Sequence, residues 1–124
     1  MMPKVTVKKC KLPRPKEVEI QRAILEWLKL NGIMAWRSNT GGAAFPNGRG
    51  GFQHVRFGFS GVSDIIGILR YPPFDLGRFL AIEVKRPGNK PTLDQEAFLE
   101  GIRSNGGMAF VATSVDDVRE KLGF

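Results

Sequence analysis

The chain has 124 residues, 42% of them hydrophobic and 25% charged, which suits one compact domain and excludes two ordinary domains or a disordered chain. Lys and Arg total 19 against 12 Asp and Glu, a net charge of +7 that favours a polyanionic partner, chiefly nucleic acid. Cys10 is the only cysteine, so an intramolecular disulfide and four-cysteine zinc sites are excluded. No stretch approaches the ~20 apolar residues that span a bilayer. The opening MMPKVTVKKCKL has positive charge without an apolar run behind it, so it does not read as a secretory signal, and a reducing, cytoplasmic setting is expected.

Residues 1–13 read as a basic arm carrying Lys4, Lys8, Lys9 and Lys11, with a short strand over 5–7, and residues 14–124 as a single domain. Pro15 precedes a helix over 16–30, where Ile20, Ala23, Ile24, Trp27 and Leu28 recur at helical spacing and Gly32 supplies the stop. Residues 33–36, Ile-Met-Ala-Trp, read as a buried strand that runs into a long loop. That loop, 41–61, holds seven glycines together with Arg49, His54 and Arg56; one of such length in a compact domain is more often functional than idle. Strands follow at 65–69 and 79–84, joined by a turn over 71–77. Thr92-Leu93-Asp94-Gln95 matches a capping box that opens a helix over 93–104. Gly106-Gly107 stops it, residues 108–112 read as a strand, and Ser114 opens a last helix ending near Leu122. This order predicts an α/β sandwich, a mixed central sheet with helices on both faces.

The strongest local signal is Ile82-Glu83-Val84-Lys85. Side chains alternate along a strand, so Glu83 and Lys85 share one face while Ile82 and Val84 take the other. A carboxylate and an ammonium emerging from an apolar strand cost desolvation free energy, which points to a purpose. Asp64 stands at the start of the neighbouring apolar run, and if the two strands pair as a hairpin it comes close to Glu83. Two carboxylates with a backbone carbonyl suit Mg²⁺ or Mn²⁺, which polarises a phosphate and lowers the pKa of an attacking water. Lys85 would then stabilise developing charge or orient the nucleophile.

Asp64 and Glu83-Val84-Lys85 resemble the PD-(D/E)XK nuclease signature, with Ser63 in place of the proline that often precedes the aspartate. The wider set resembles the VRR-NUC (virus-type replication-repair nuclease) family. It comprises Glu17 and Ile20-Gln21 on the first helix, Arg37-Ser38-Asn39-Thr40-Gly41, Gly61-Val62-Ser63-Asp64, Ile82-Glu83-Val84-Lys85 and Gln95. The resemblance covers roughly residues 16–115. It implies a restriction-endonuclease-like fold and a metal site of Asp64, Glu83 and the Val84 carbonyl with Glu17. Gln95 would hydrogen-bond the lysine, a water or the substrate. Stand-alone members of this size resemble phage or prophage proteins that act as homodimers on four-way (Holliday) junctions, where two symmetric sites cut two symmetric strands.

Helix geometry favours Glu17, three before Ile20 on the apolar stripe, over Glu19, which points to solvent and is the fallback carboxylate. Each candidate also has a structural alternative. Glu83 and Lys85 would make a surface ion pair, Asp64 a turn, Glu17 a favourable charge in a first helical turn, and Gln95 a cap. Arg37, Asn39, Arg49 and Arg56 are candidates for phosphate contacts; His54 is a bystander, and Trp27 and Trp36 fit the core. Beside a metal-dependent DNA endonuclease stand a non-catalytic DNA-binding module of the same fold, a restriction-type endonuclease, and cleavage of RNA.

Overall fold

Lys16, in extended conformation, opens α1 (Glu17–Leu30), and the Glu19 carboxylate accepts a hydrogen bond from the Lys16 N–H at 3.1 Å. Asn31 closes the helix, and Gly32 turns the chain at φ +71°, a left-handed conformation that glycine takes without steric cost. The computed structural model describes residues 14–38, 42–56, 60–72 and 75–124, and the side chains of all of these except 42–44 and 54–56. The basic arm over 1–13 and Asn39 therefore lie outside the described residues, as do the side chains of His54 and Arg56.

The elements that follow are β1 (Met34–Arg37), β2 (Gly42–Pro46), β3 (Phe52–Arg56), β4 (Ile65–Tyr71), β5 (Leu76–Val84), α2 (Leu93–Ser104), β6 (Met108–Ala112) and α3 (Val115–Leu122). Four strands form a sheet in the order β1-β4-β5-β6. β1 and β5 each pair antiparallel with β4, and β6 pairs parallel with β5, so the central sheet is mixed. Alternation along β5 separates two cores. Leu80, Ile82 and Val84 pack with Ile20, Ile24 and Leu28 of α1 and Val118 of α3. Ala81 faces the other way, with Leu99, Phe98 and Ile102 of α2. Each such fully buried aliphatic side chain is worth roughly 1.5–3 kcal/mol, and the sheet is sandwiched as its pattern predicts. Among the described residues no helix is long and apolar enough to cross a membrane.

Two expectations are corrected. The 33–36 segment is not a buried strand: β1 lies at the sheet edge, and Met34 is 66% and Trp36 42% exposed. Ile33 and Ala35 pack against the α1 core and Trp36 does not, so Trp36 is not a core residue, whereas Trp27 packs against that core and meets Phe124 edge to face at 5.3 Å. The 41–61 segment is not simply a loop either. It carries the antiparallel β2–β3 hairpin, with Pro46 opposite Phe52 and Phe45 opposite Gln53.

Candidate active site

The site lies at the open end of the β4–β5 hairpin. Ile65 and Ile82 are the last cross-strand partners, so Asp64 and Glu83 face one another one step beyond. The Val84 N–H donates to Asp64 Oδ2 at 2.8 Å, which fixes the aspartate by a backbone contact instead of a flexible side chain. A strand residue presents its N–H and C=O to the same edge, so the Val84 carbonyl also faces the Asp64 side. The Lys85 N–H is held by the Ala112 carbonyl of β6 at 3.0 Å, and Lys85 Nζ stands 3.5 Å from Glu83 Oε1.

Glu83 is 1% exposed, and neither of its carboxylate oxygens accepts a hydrogen bond among the described residues. Burial in the sheet, then the negative charge of Asp64, raise its pKa from 4.5 to about 8, against the opposing pull of Lys85. A buried carboxylate short of donors is costly, and native proteins hold such groups where a cation or a proton completes them. The donor set of two carboxylates and a carbonyl consists of hard oxygens, which fits a divalent cation of the Mg²⁺ type.

The loop that delivers Asp64 is locked onto α2. Gly61 adopts φ +76°, and a Cβ there would lie 2.3 Å from the Asp94 carbonyl carbon and 2.6 Å from the Gln95 nitrogen. Only glycine permits that approach. Ser60 Oγ adds a 2.6 Å hydrogen bond to Asp94 Oδ2. Gln95 sits at this junction, half-buried, and forms the capping box its sequence predicts. Its Oε1 accepts from the Thr92 N–H at 2.9 Å, and its own N–H donates to Thr92 Oγ1 at 3.2 Å.

Glu17 is half-buried in the first turn of α1 while Glu19 is exposed and engaged in capping. The short 31–33 connection folds α1 back along β1, so its first turn lies at the end of the sheet where Arg37 pairs with Ile65. Among the described residues no three His, Cys, Asp or Glu side chains come together as a metal-holding group, so Glu17 does not complete a third corner with Asp64 and Glu83. Arg37 is exposed at the end of β1, and Arg49 is exposed in the β2–β3 turn. Arg56 is placed only as part of the β3 backbone, and Asn39 lies outside the described residues.

Sequence reasoning gave no role to three further polar groups. Gln21 is 6% exposed and Ser63 0%, and Gln21 Oε1, Ser63 Oγ and Arg86 Nε are buried without hydrogen-bond partners among the described residues. Gln21 follows Glu17 by one helical turn and Ser63 precedes Asp64, so the open end of the sheet concentrates unmet polar demand. The legible signal was a glutamine on an otherwise apolar helix face.

A mixed β1-β4-β5-β6 sheet between helices, with Asp64 facing Glu83 and Lys85 at one end, is an α/β restriction-endonuclease-like architecture. The model of the VRR-NUC domain matches residues 15–116, and the chain belongs to the VRR-NUC family of nucleases. A solved structure described as a VRR_NUC domain protein shares the fold with a TM-score of 0.59 and 22% identity, covering 90% of this chain and 88% of that one. No curated protein sequence matches the chain.

Proposed function

We propose that this nuclease is a metal-dependent, structure-selective DNA endonuclease that hydrolyses phosphodiester bonds in branched DNA such as four-way junctions, acting as a homodimer. The observation that carries the metal dependence is Glu83, buried beside Asp64 with neither oxygen accepting a hydrogen bond among the described residues. Asp64, Glu83 and the Val84 carbonyl would hold Mg²⁺ or Mn²⁺, with Glu17 as an outer carboxylate acting through water. When bound, the cation supplies Lewis-acid polarisation of the scissile phosphate and a lowered pKa for the attacking water.

The chain's own groups provide the rest. The Val84 N–H holds the Asp64 carboxylate in one orientation, so that orientation need not be found during turnover. Lys85 is only 13% exposed, and its ammonium acts at short range in a partly dehydrated site where charge on the phosphoryl oxygens grows. Gln95 uses its side-chain oxygen in the helix cap and retains an amide nitrogen to orient a water or the substrate. Arg37, Asn39, Arg49 and Arg56 grip flanking phosphates. The preference for branched DNA and the dimer rest on the resemblance to stand-alone family members, and the same resemblance supports a setting in the cytoplasm of a bacterium or phage-infected host.

The test is cleavage of labelled four-way junction, flap, duplex and single-stranded DNA in Mg²⁺, Mn²⁺ or EDTA. Branched DNA should be cut in metal and spared in EDTA, with Lys85→Ala at least ~100-fold slower while still binding DNA. Tight binding without cutting under every condition would instead identify a non-catalytic DNA-binding module.

A further inference from the structure

The β2–β3 hairpin forms a sheet of its own, sharing no ladder with the four-stranded sheet among the described residues. Its strands are five residues each, roughly 17 Å at ~3.4 Å per residue. Two-stranded ribbons are marginal in water and need an apolar surface to lean on. Here Pro46 pairs with Phe52 and Phe45 with Gln53, so the two phenylalanines occupy opposite faces of the ribbon. Phe52 is 75% exposed, so its face of the ribbon shows an aromatic ring to water. The turn between the strands is nevertheless well tied. Asn47 Oδ1 accepts from the N–H groups of Arg49 at 2.9 Å and Gly51 at 3.1 Å, and the Asn47 N–H donates to the Gly51 carbonyl at 3.0 Å. That turn carries the exposed Arg49.

Charge and attachment say what covers the Phe52 ring. From Trp27 to Ser63 the chain has no Asp or Glu, while Lys29, Arg37, Arg49 and Arg56 all lie within it. The chain leaves the main sheet at Ser38 and returns at Asp64, and the Ser38 N–H donates to the Asp64 carbonyl at 2.8 Å. The excursion that carries the ribbon thus starts and ends at the backbone of Asp64, a residue of the candidate active site. Such a basic, aromatic surface suits a polyanion with flat apolar faces. A ribbon also fits the major groove of duplex DNA, but readout there rests chiefly on hydrogen bonds to base edges, with apolar contact limited to the thymine methyl, and Phe52 and Pro46 offer only the latter. Stacking needs an open base face, which a continuous duplex covers and a branch point exposes.

We propose that the β2–β3 hairpin engages DNA where strands part, with Phe52 stacked on an unpaired base and Arg49 on an adjoining phosphate, and so favours branched DNA over continuous duplex. This deepens, and rests on, the reading of the chain as a DNA nuclease.

The test is binding in EDTA at fixed salt, by fluorescence anisotropy, of a flap, a single strand and a continuous duplex. Wild type is compared with Phe52→Ala, Phe52→Leu and Phe52→Trp. Phe52→Ala should weaken binding to flap and single strand about tenfold and to duplex less than twofold. Phe52→Trp should restore it and Phe52→Leu should not, which separates stacking from apolar packing and from collapse of the ribbon. 2-Aminopurine at the branch should be quenched by wild type and by Phe52→Trp, and not by Phe52→Ala. Equal losses on all three DNAs, no loss, or full rescue by leucine would overturn the proposal. So would a change in sedimentation mass caused by Phe52→Ala, which would assign the ring to a contact between copies. If the binding pattern holds but wild type cuts nothing in Mg²⁺ or Mn²⁺, the hairpin assignment stands and the nuclease reading falls. Cleavage that is indifferent to Phe52 has the reverse meaning.

Discussion

The two ends of the β4–β5 hairpin treat charge in opposite ways. At the closed end, Arg70 and Asp75 pair at 3.3 Å with side chains 80% and 84% exposed. Arg78 nearby is matched donor for acceptor: its Nε reaches the Gly106 carbonyl at 2.8 Å, Nη2 the Gly107 carbonyl at 3.2 Å, and Nη1 the Tyr71 hydroxyl at 3.1 Å. At the open end Glu83 is buried, and among the described residues it accepts no hydrogen bond and has Lys85 at 3.5 Å as its one ion-pair partner. Solvated or fully bonded charges cost the fold little. A desolvated, under-bonded carboxylate costs it a good deal, and the sheet bears that cost where Asp64, Glu83 and Lys85 meet.

The contrast breaks most sharply at Glu83. Replacing it by glutamine should cut DNA cleavage at least ~100-fold while stabilising the metal-free fold at alkaline pH. The sign follows from the shift from 4.5 to about 8: the folded chain keeps a proton that the unfolded chain releases. That contribution to stability is complete below about 4.5, drains away as pH rises and is gone above about 8. Urea melts in EDTA should show wild type losing up to a few kcal/mol through this group across that window, at ~1.36 kcal/mol per unit. Glu83→Gln should lack that slope, and an unchanged slope would place the strain elsewhere.

A second break is Gly61→Ala. Positive φ and a close backbone together should cost ~2–3 kcal/mol and loosen the Asp64 loop from α2. Gly88 makes the matched comparison, because it has φ +89° and a Cβ added there would meet nothing within 4 Å. Gly88→Ala should therefore cost only about 1 kcal/mol by the same melts. Equal losses at the two positions would mean that conformation alone matters. The smallest effect belongs to the closed end: Arg70→Ala should shift stability by less than ~1 kcal/mol and leave cleavage unchanged.

Much of this molecule is legible in its sequence where period and punctuation agree. α2, β6 and α3 fall on the residues their caps, glycines and apolar spacing predict, because Thr92 and Ser114 accept from Gln95 and Asp117 N–H groups as N-caps do. The placement of Asp64 beside Glu83 is readable once the two apolar runs are paired as a hairpin. β1 misleads because a short continuous apolar run looks alike in a sheet centre and at a sheet edge; only the strand order reveals its edge position. β2–β3 is missed because glycine and arginine hide the alternation, and its register is fixed by Asn47 hydrogen bonds that no period encodes. Buried oxygens left unbonded among the described residues, such as those of Gln21, Ser63 and Glu83, depend on how elements pack, which composition does not specify.

The hydrogen bond between Ser38 and Asp64 closes the base of the 39–63 excursion. The alignment of β1 on β4 is set by Met34 opposite Ile68 through Arg37 opposite Ile65, and that alignment is indifferent to how much chain hangs between them. Insertions or deletions in the excursion can therefore accumulate without moving Asp64 relative to Glu83. Descent can reshape what the protein grips while leaving untouched the place where it holds two carboxylates together.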